Sequence, residues 1–177
     1  MRTVDKRARV SRRDFLATSG AAALVVSSGA VMCPTGAWAM KVKTLKPETM
    51  RTLIQMARDI YPHDRLADKY YAKAVKSYDV VAAKEPALKA LIEDGVNTLD
   101  SLAKGAHGTP YIDVGWEADR VALLRQIEKG GFFQKVRGGL VTGLYNNPEV
   151  WAKVGYEGPS AEKGGYIKRG FNDIDWV

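Results

Sequence analysis

Cysteine is nearly absent from the sequence, which has one cysteine among 177 residues. That residue, Cys33, lies before the cleavage site proposed below, so the predicted mature chain has none. Disulfides, thioether-linked haem, iron–sulfur clusters and a cysteine nucleophile are thereby excluded from the mature chain. Lipidation of Cys33 is disfavoured, because Ala30 to Met32 fit a lipoprotein cleavage site poorly and Pro34 follows.

Histidine is also scarce, with only His63 and His107. Neither belongs to an H-E-x-x-H pattern, and without cysteine a structural zinc site would need two further carboxylates. We expect His63, next to Asp64 after a helix end, to be a cation that caps the last helix carbonyls. His107 is expected to be exposed in a glycine-rich loop. A haem or metal site built from His63 and His107 in an independent periplasmic protein remains an alternative.

The glycine pairs at 130–131, 138–139 and 164–165 form neither G-x-G-x-x-G nor a Walker motif. The sequence therefore predicts no catalytic residue, no metal ligand and no cofactor-binding residue in this chain.

The stretch "SRRDFLATSG", residues 11–20, has the form of a twin-arginine export signal. Its hallmark residues are Arg12, Arg13, Phe15 and Leu16. Such signals address proteins that cross the membrane already folded, typically because a cofactor must be inserted first. The sequence thus raises the question of which cofactor requires folded export.

The apolar run from residue 15 to residue 32 is diluted by threonine, serine and glycine, so it is a poor membrane anchor. Ala37 and Ala39 then match the A-x-A pattern of a signal peptidase site. We therefore predict that residues 1–39 are a cleavable signal and that Met40 begins the mature chain.

Most of the net charge of +7 belongs to that signal. It holds six of the 27 basic and two of the 20 acidic residues, which leaves 21 and 18 in a mature chain of 138 residues. That length suits one domain, and the small remaining charge gives little support to nucleic-acid binding.

Apolar residues recur at helical spacing through most of the mature chain. This pattern predicts an all-α fold, a small bundle of about five helices packed on one another. Asp68 is expected to cap the second helix, and Gly95 to mark close packing of the third against a neighbour. The predicted helices run from Pro47 to just before Pro62, from Asp68 to Lys84, from Pro86 to a loop at 104–116, around Val121–Ile127 up to Gly130, and from Phe132 to Leu144, where Asn146, Asn147 and Pro148 stop the helix.

The last segment, residues 155–177, is rich in glycine but carries large aromatic side chains. We predict an ordered arm without regular structure, separate from a helical domain at 40–154. Its aromatic residues must bury either on that domain or on a partner. They are Tyr156, Tyr166, Phe171 and Trp176.

Four motifs together resemble the gluconate 2-dehydrogenase third (small) subunit family, over essentially the whole mature chain. They are "YPHD" (Tyr61, Pro62, His63, Asp64), "FF" (Phe132, Phe133), "LYNNPEVWAKVGYEGPS" from Leu144, and "GGYIKRGFNDIDW" near the end. The resemblance marks the YPHD residues as a family signature and assigns no chemistry to them.

The resemblance implies that this chain is an accessory subunit without activity or cofactor of its own. Its partners would be a large FAD-carrying sugar, sugar-acid or polyol dehydrogenase, in some complexes a multihaem cytochrome c subunit, and the twin-arginine translocase. The small subunit would supply the export signal and stabilise the large one, in a complex in the periplasm at the inner membrane. Tyr156, Tyr166, Phe171 and Trp176 are the hypothesised interface. An unrelated periplasmic binding module is the remaining alternative.

Overall fold

The computed structural model describes residues 30–32, 39–168 and 171, and for residues 30–32, 39 and 40 only the backbone. Within these ranges six α-helices dominate, as the all-α prediction requires. One-turn 3-10 helices occur at Tyr111–Asp113 and Ser160–Lys163. The α-helices are α1 (Pro47–Ile60), α2 (Asp68–Ala82), α3 (Pro86–His107), α4 (Glu117–Ile127), α5 (Gly131–Tyr145) and α6 (Pro148–Val154).

Helix α2 lies at the centre of the bundle and packs against α1, α3 and α5. The core is formed by the predicted apolar stripes, with fully buried side chains such as Leu53, Tyr71 and Leu140. Leu91 on α3 and Val141 on α5 also follow the helical spacing of apolar residues, which predicts that they face inward, but both are exposed. No helix among the described residues combines the length and hydropathy needed to cross a bilayer.

Glycine permits close packing at two helix crossings. The Phe132 ring of α5 occupies the position that a Cβ on Gly95 would take, so the predicted close approach at Gly95 is confirmed. On α5 itself, the Tyr78 hydroxyl of α2 fills the corresponding space at Gly139. That hydroxyl donates to the carbonyl oxygen of Lys135 at 3.0 Å, and burial raises the pKa of Tyr78 to about 12.

Two predicted boundaries differ from the structure. Helix α3 continues to His107 and ends on left-handed Gly108 (φ 74°), because the buried Ala103 keeps its last turn on the core. The predicted loop at 104–116 is therefore shorter, and His107 is the exposed last residue of a helix. The residues predicted to end α5 also begin the next helix, since Asn147 caps α6 and Pro148 is its first residue.

The N-terminal end of α2 also differs from expectation. Ala67 is the N-cap residue and makes no side-chain capping bond. Asp68 is the first helical residue, and its carboxylate forms an ion pair with Arg58 of α1. Asp68 thus links two helices and still lies where a negative charge favours the helix dipole.

A short antiparallel ribbon, absent from the prediction, precedes the bundle. Strands β1 (Ala30–Met32) and β2 (Ala39–Lys41) pair with Ala30 opposite Lys41 and Met32 opposite Ala39. Both strands overlap the predicted signal, and Ala39 lies in β2. Ala37 and the signal residues Arg12, Arg13, Phe15 and Leu16 lie outside the described residues.

Candidate functional site

The YPHD turn, residues 61–64, joins α1 to α2 and is fastened to the end of α5. The Nε2 atom of His63 lies 2.7 Å from the Tyr145 hydroxyl oxygen, and the two rings meet edge to face at 5.7 Å. The Tyr61 ring packs on Tyr145 in the same way at 5.6 Å, and the Tyr71 hydroxyl donates to the Tyr61 carbonyl oxygen at 2.7 Å. His63 therefore bonds to a tyrosine rather than capping the carbonyls of α1 as predicted.

An open cleft of about 1020 Å³ lies beside this turn. Side chains of α1, the turn, α2 and α4 line it, and they carry charges of both signs. Four of them are paired with one another, since Arg58 binds Asp68 and Arg120 binds Asp59. The exposed Asp64 and Arg65 are at its surface. No cluster of three metal-ligating side chains occurs among the described residues.

The inner wall of the cleft is a buried network centred on Asp59, which is 7% exposed. Its carboxylate accepts hydrogen bonds from the Tyr111 hydroxyl at 2.6 Å and from Arg120 Nε at 2.8 Å and Nη2 at 3.0 Å. Gln55 adds a bond at 3.1 Å. Burial raises the pKa of the Tyr111 hydroxyl, and the Asp59 charge raises it further. Both carboxylate oxygens of Asp59 accept hydrogen bonds, so the carboxylate is not a free base. The network instead holds together α1, the 3-10 helix Tyr111–Asp113 and α4.

Asp79 on α2 forms a second buried anchor, with 4% of its surface exposed. Its carboxylate accepts the main-chain amides of Lys43 at 3.0 Å, Thr44 at 2.8 Å and Leu45 at 2.9 Å. Burial acts to raise the pKa of Asp79, but these three amide bonds outweigh it, so the pKa is lowered from 3.8. The anchor fixes the residues that follow β2 to the middle of the bundle.

Asp79→Asn is expected to lower the free energy of unfolding at pH 7 by about 1–3 kcal/mol, because an amide cannot accept all three bonds. Since the folded pKa is below the unfolded value of 3.8, the carboxylate's contribution is present above that pH and is lost as pH falls through the folded pKa. The difference between wild type and variant should therefore shrink below about pH 4, as followed by urea unfolding. The exposed Asp94→Asn is the control, and an equal effect there would contradict the anchor.

The C-terminal arm has an inner part around Tyr156, which packs on α6, and an outer part that contains Ile167 and Phe171. The Trp151 indole donates to the Tyr145 carbonyl oxygen at 2.6 Å, and Tyr156 packs edge to face on Trp151 at 5.4 Å. Farther along, Ile167 is 85% and Phe171 82% exposed. The 3-10 helix at 160–163 is regular structure that the prediction did not include. Trp176 lies outside the described residues. The outer part thus presents apolar side chains that the described bundle does not bury.

Trp116 is a further exposed aromatic residue, outside the sites predicted from the sequence. It is the N-cap residue of α4, next to Glu117 of the cleft, and 78% of its surface is exposed. Its position in a glycine-containing loop was the only sign of its exposure in the sequence.

The structure does not bring the two histidines together. His63 bonds to Tyr145, while His107 is exposed at the end of α3, and no bond between them occurs in the described part of the chain.

Comparison with known proteins gives one informative result. A family model described as gluconate 2-dehydrogenase subunit 3 matches residues 47–158. The match begins with α1 and includes the YPHD turn, the Asp59 and Asp79 side chains and α6. No curated protein and no solved structure matches the chain.

Proposed function

Because the chain belongs to the gluconate 2-dehydrogenase subunit 3 family, which confirms the resemblance carried by the motifs within residues 47–158, we propose that it escorts and stabilises an FAD-dependent dehydrogenase. Membership makes it an accessory subunit of that type, with a larger dehydrogenase as partner. The proposed substrate of the complex is a sugar, a sugar acid or a polyol. The family match over residues 47–158 is the observation that carries this proposal.

Folded export follows from the chemistry of the partner. FAD is inserted in the cytoplasm, so the flavoprotein must cross the membrane as a folded protein, and the signal with Arg12 and Arg13 supplies the address for the pair. FAD then belongs to the large subunit, and any haem c to a third subunit. The complex would operate in the periplasm, held at the inner membrane by its other subunits.

The described residues fit an accessory role. Asp59, Tyr111 and Arg120 satisfy one another, and His63 is engaged by Tyr145, so these side chains serve packing. The apolar side chains left exposed on the outer arm, by contrast, are of the kind that protein interfaces bury.

Replacing both Arg12 and Arg13 with lysine in the full-length chain, in its native host, tests the proposal. We expect the chain and a co-purifying flavoprotein to disappear together from the periplasm, with flavin-dependent dehydrogenase activity retained in the cytoplasm. The control replaces Arg7 and Arg9, which lie outside the motif, with lysine. A flavoprotein that still reaches the periplasm with the double variant would refute the escort role.

A further inference from the structure

A groove about 920 Å³ in volume lies between the segment after β2 and the exposed face of α2. It shares one lining residue, Lys69, with the cleft beside the YPHD turn, which we call the YPHD cleft. The walls of the groove carry six lysines and a single acidic residue, Asp79. We call it the lysine groove. Its lysines are Lys41, Lys43, Lys69, Lys73, Lys76 and Lys84.

The positive charge of the lysine groove is mostly uncompensated. The one carboxylate in it, Asp79, is taken up by the amides of residues 43–45. Lys73 pairs with Glu149 at 3.1 Å and also donates to Asn147. The other five lysines form no ion pair with any described residue, and Lys69 lies over the Tyr70 ring at 4.9 Å. So many neighbouring ammonium groups repel one another unless an anion lies between them.

The shape of the lysine groove selects the kind of anion. Residues 69, 73, 76 and 80 recur every three or four positions, so they form one line on α2, about 16 Å long at 1.5 Å per residue, and Lys84 follows in the turn after the helix end. Val80 on this line is 56% exposed and adds an apolar contact. Lysines are separate point charges without the planar fork of arginine, which suits carboxylates spread along a chain better than one small anion. A concave groove also fits a polypeptide better than it fits a flat membrane.

Both walls of the lysine groove are fixed before any ligand binds. Asp79 ties residues 43–45 to α2, and α2 is held in the centre of the bundle. A preformed groove loses little conformational entropy on binding, and its charge accelerates the approach of a negatively charged partner.

We propose that the lysine groove binds an acidic segment of the large dehydrogenase subunit. This inference rests on the proposed function and names the contact between the two subunits. The acidic segment lies along α2, with its carboxylates spaced to meet Lys69, Lys76 and Lys84 on one wall and Lys41 and Lys43 on the other.

Zero-length cross-linking tests the contact in the intact complex. The full-length tagged chain is purified from its native host with whatever accompanies it and is treated with a water-soluble carbodiimide. This reagent joins a lysine amine to a carboxylate only when the two are in contact. Peptide mass spectrometry should find amides between Lys41, Lys43, Lys76 or Lys84 and aspartate or glutamate residues of the flavoprotein.

A charge-matched pair of variants gives the energetic test. In the groove variant Lys41, Lys43, Lys76 and Lys84 become glutamine, and in the control variant the exposed Lys89, Lys104, Lys129 and Lys135 do. Circular dichroism checks that both remain helical. The groove variant should raise the dissociation constant for the flavoprotein about tenfold at physiological ionic strength and reduce its salt dependence. The control variant should leave both unchanged.

The outcomes separate this inference from the proposed function. If no flavoprotein accompanies the wild-type chain, the proposed function fails, and the groove contact fails with it. A flavoprotein that co-purifies without cross-links to groove lysines overturns the groove contact alone. Cross-links only to Asp173 or Asp175 would assign the groove to the chain's own tail. The two variants are also sedimented with phosphatidylglycerol vesicles. If the groove variant keeps its affinity for the flavoprotein but no longer sediments with the vesicles, the groove binds a membrane surface instead. If both variants bind the flavoprotein equally weakly, the effect is one of net charge and the groove contact is wrong.

Discussion

Replacing Asp59 with alanine is expected to lower the free energy of unfolding by about 3–5 kcal/mol, because it breaks a buried ion pair by removing one partner. The side chain of Arg120 is 13% exposed and that of Tyr111 is fully buried. Without Asp59, a guanidinium and a hydroxyl in this interior lose their acceptor and cannot regain water without opening the bundle. In the variant, the contacts between α1, the 3-10 helix Tyr111–Asp113 and α4 should be the first to weaken.

Urea unfolding at pH 7, followed by far-ultraviolet circular dichroism, measures the effect. Asp64→Ala removes a carboxylate from the same cleft that makes no hydrogen bond in the described part of the chain, and should change stability by no more than about 0.5 kcal/mol. Asp59→Asn, which keeps one acceptor oxygen and the side-chain shape, should lie between the two and provides a folded variant if Asp59→Ala does not fold. A loss below about 1 kcal/mol for Asp59→Ala would contradict the assigned role of the network.

The features that the sequence predicted correctly depend on neighbours along the chain. Pro47 and Pro86 are first residues of α1 and α3, as their fixed φ angle favours. The apolar spacing located the five longer helices. Gly95 was recognised because a glycine on the inner face of a helix costs stability unless something fills the space, and here the Phe132 ring does.

The features that were missed join residues far apart in the chain. His63 and Tyr145 are 82 positions apart, and Asp59 and Arg120 are 61 apart. Local spacing gives no sign of such partners, so His63 was assigned to the nearest carbonyls. A sign did exist for Asp59, which follows Thr52 and Met56 at helical spacing and so is a charged residue on the buried side of α1. A charge at such a position needs a partner, although the sequence does not say which.

The ends of helices were decided by packing rather than by composition. Gly105 faces open space, yet it does not end α3. The buried Ala103 keeps the last turn of the helix in contact with the core. Asn147 and Pro148 act in both directions, since the pair that stops α5 also provides the cap and the first residue of α6. A short helix of this kind is stabilised by its one buried residue, Val150, which the spacing alone could not distinguish.

Deleting residues 166–177 is expected to leave the helical domain folded while weakening its binding to the flavoprotein more than a hundredfold, as loss of a few interface hot spots does. The deletion begins beyond the 3-10 helix at 160–163 and retains Tyr156, which packs on Trp151. It removes Ile167 and Phe171, whose exposed surfaces the described bundle does not cover, along with Tyr166 and Trp176. Thermal unfolding measures the first effect, and titration against the purified flavoprotein measures the second.

A substitution pair distinguishes burial on the partner from general loss of the arm. Ile167→Ser with Phe171→Ser should reproduce most of the loss of binding. Leu91→Ser with Val141→Ser, which alters apolar side chains that are 38% and 52% exposed on α3 and α5, should not. If the deletion unfolds the domain, the arm packs on its own helices and the partner hypothesis for it is wrong. If the deleted chain folds and binds as tightly as before, the interface lies elsewhere, with Trp116 beside the YPHD cleft as the next aromatic residue to replace. Loss of binding with unchanged thermal stability would show that the arm's apolar side chains serve the complex rather than the fold.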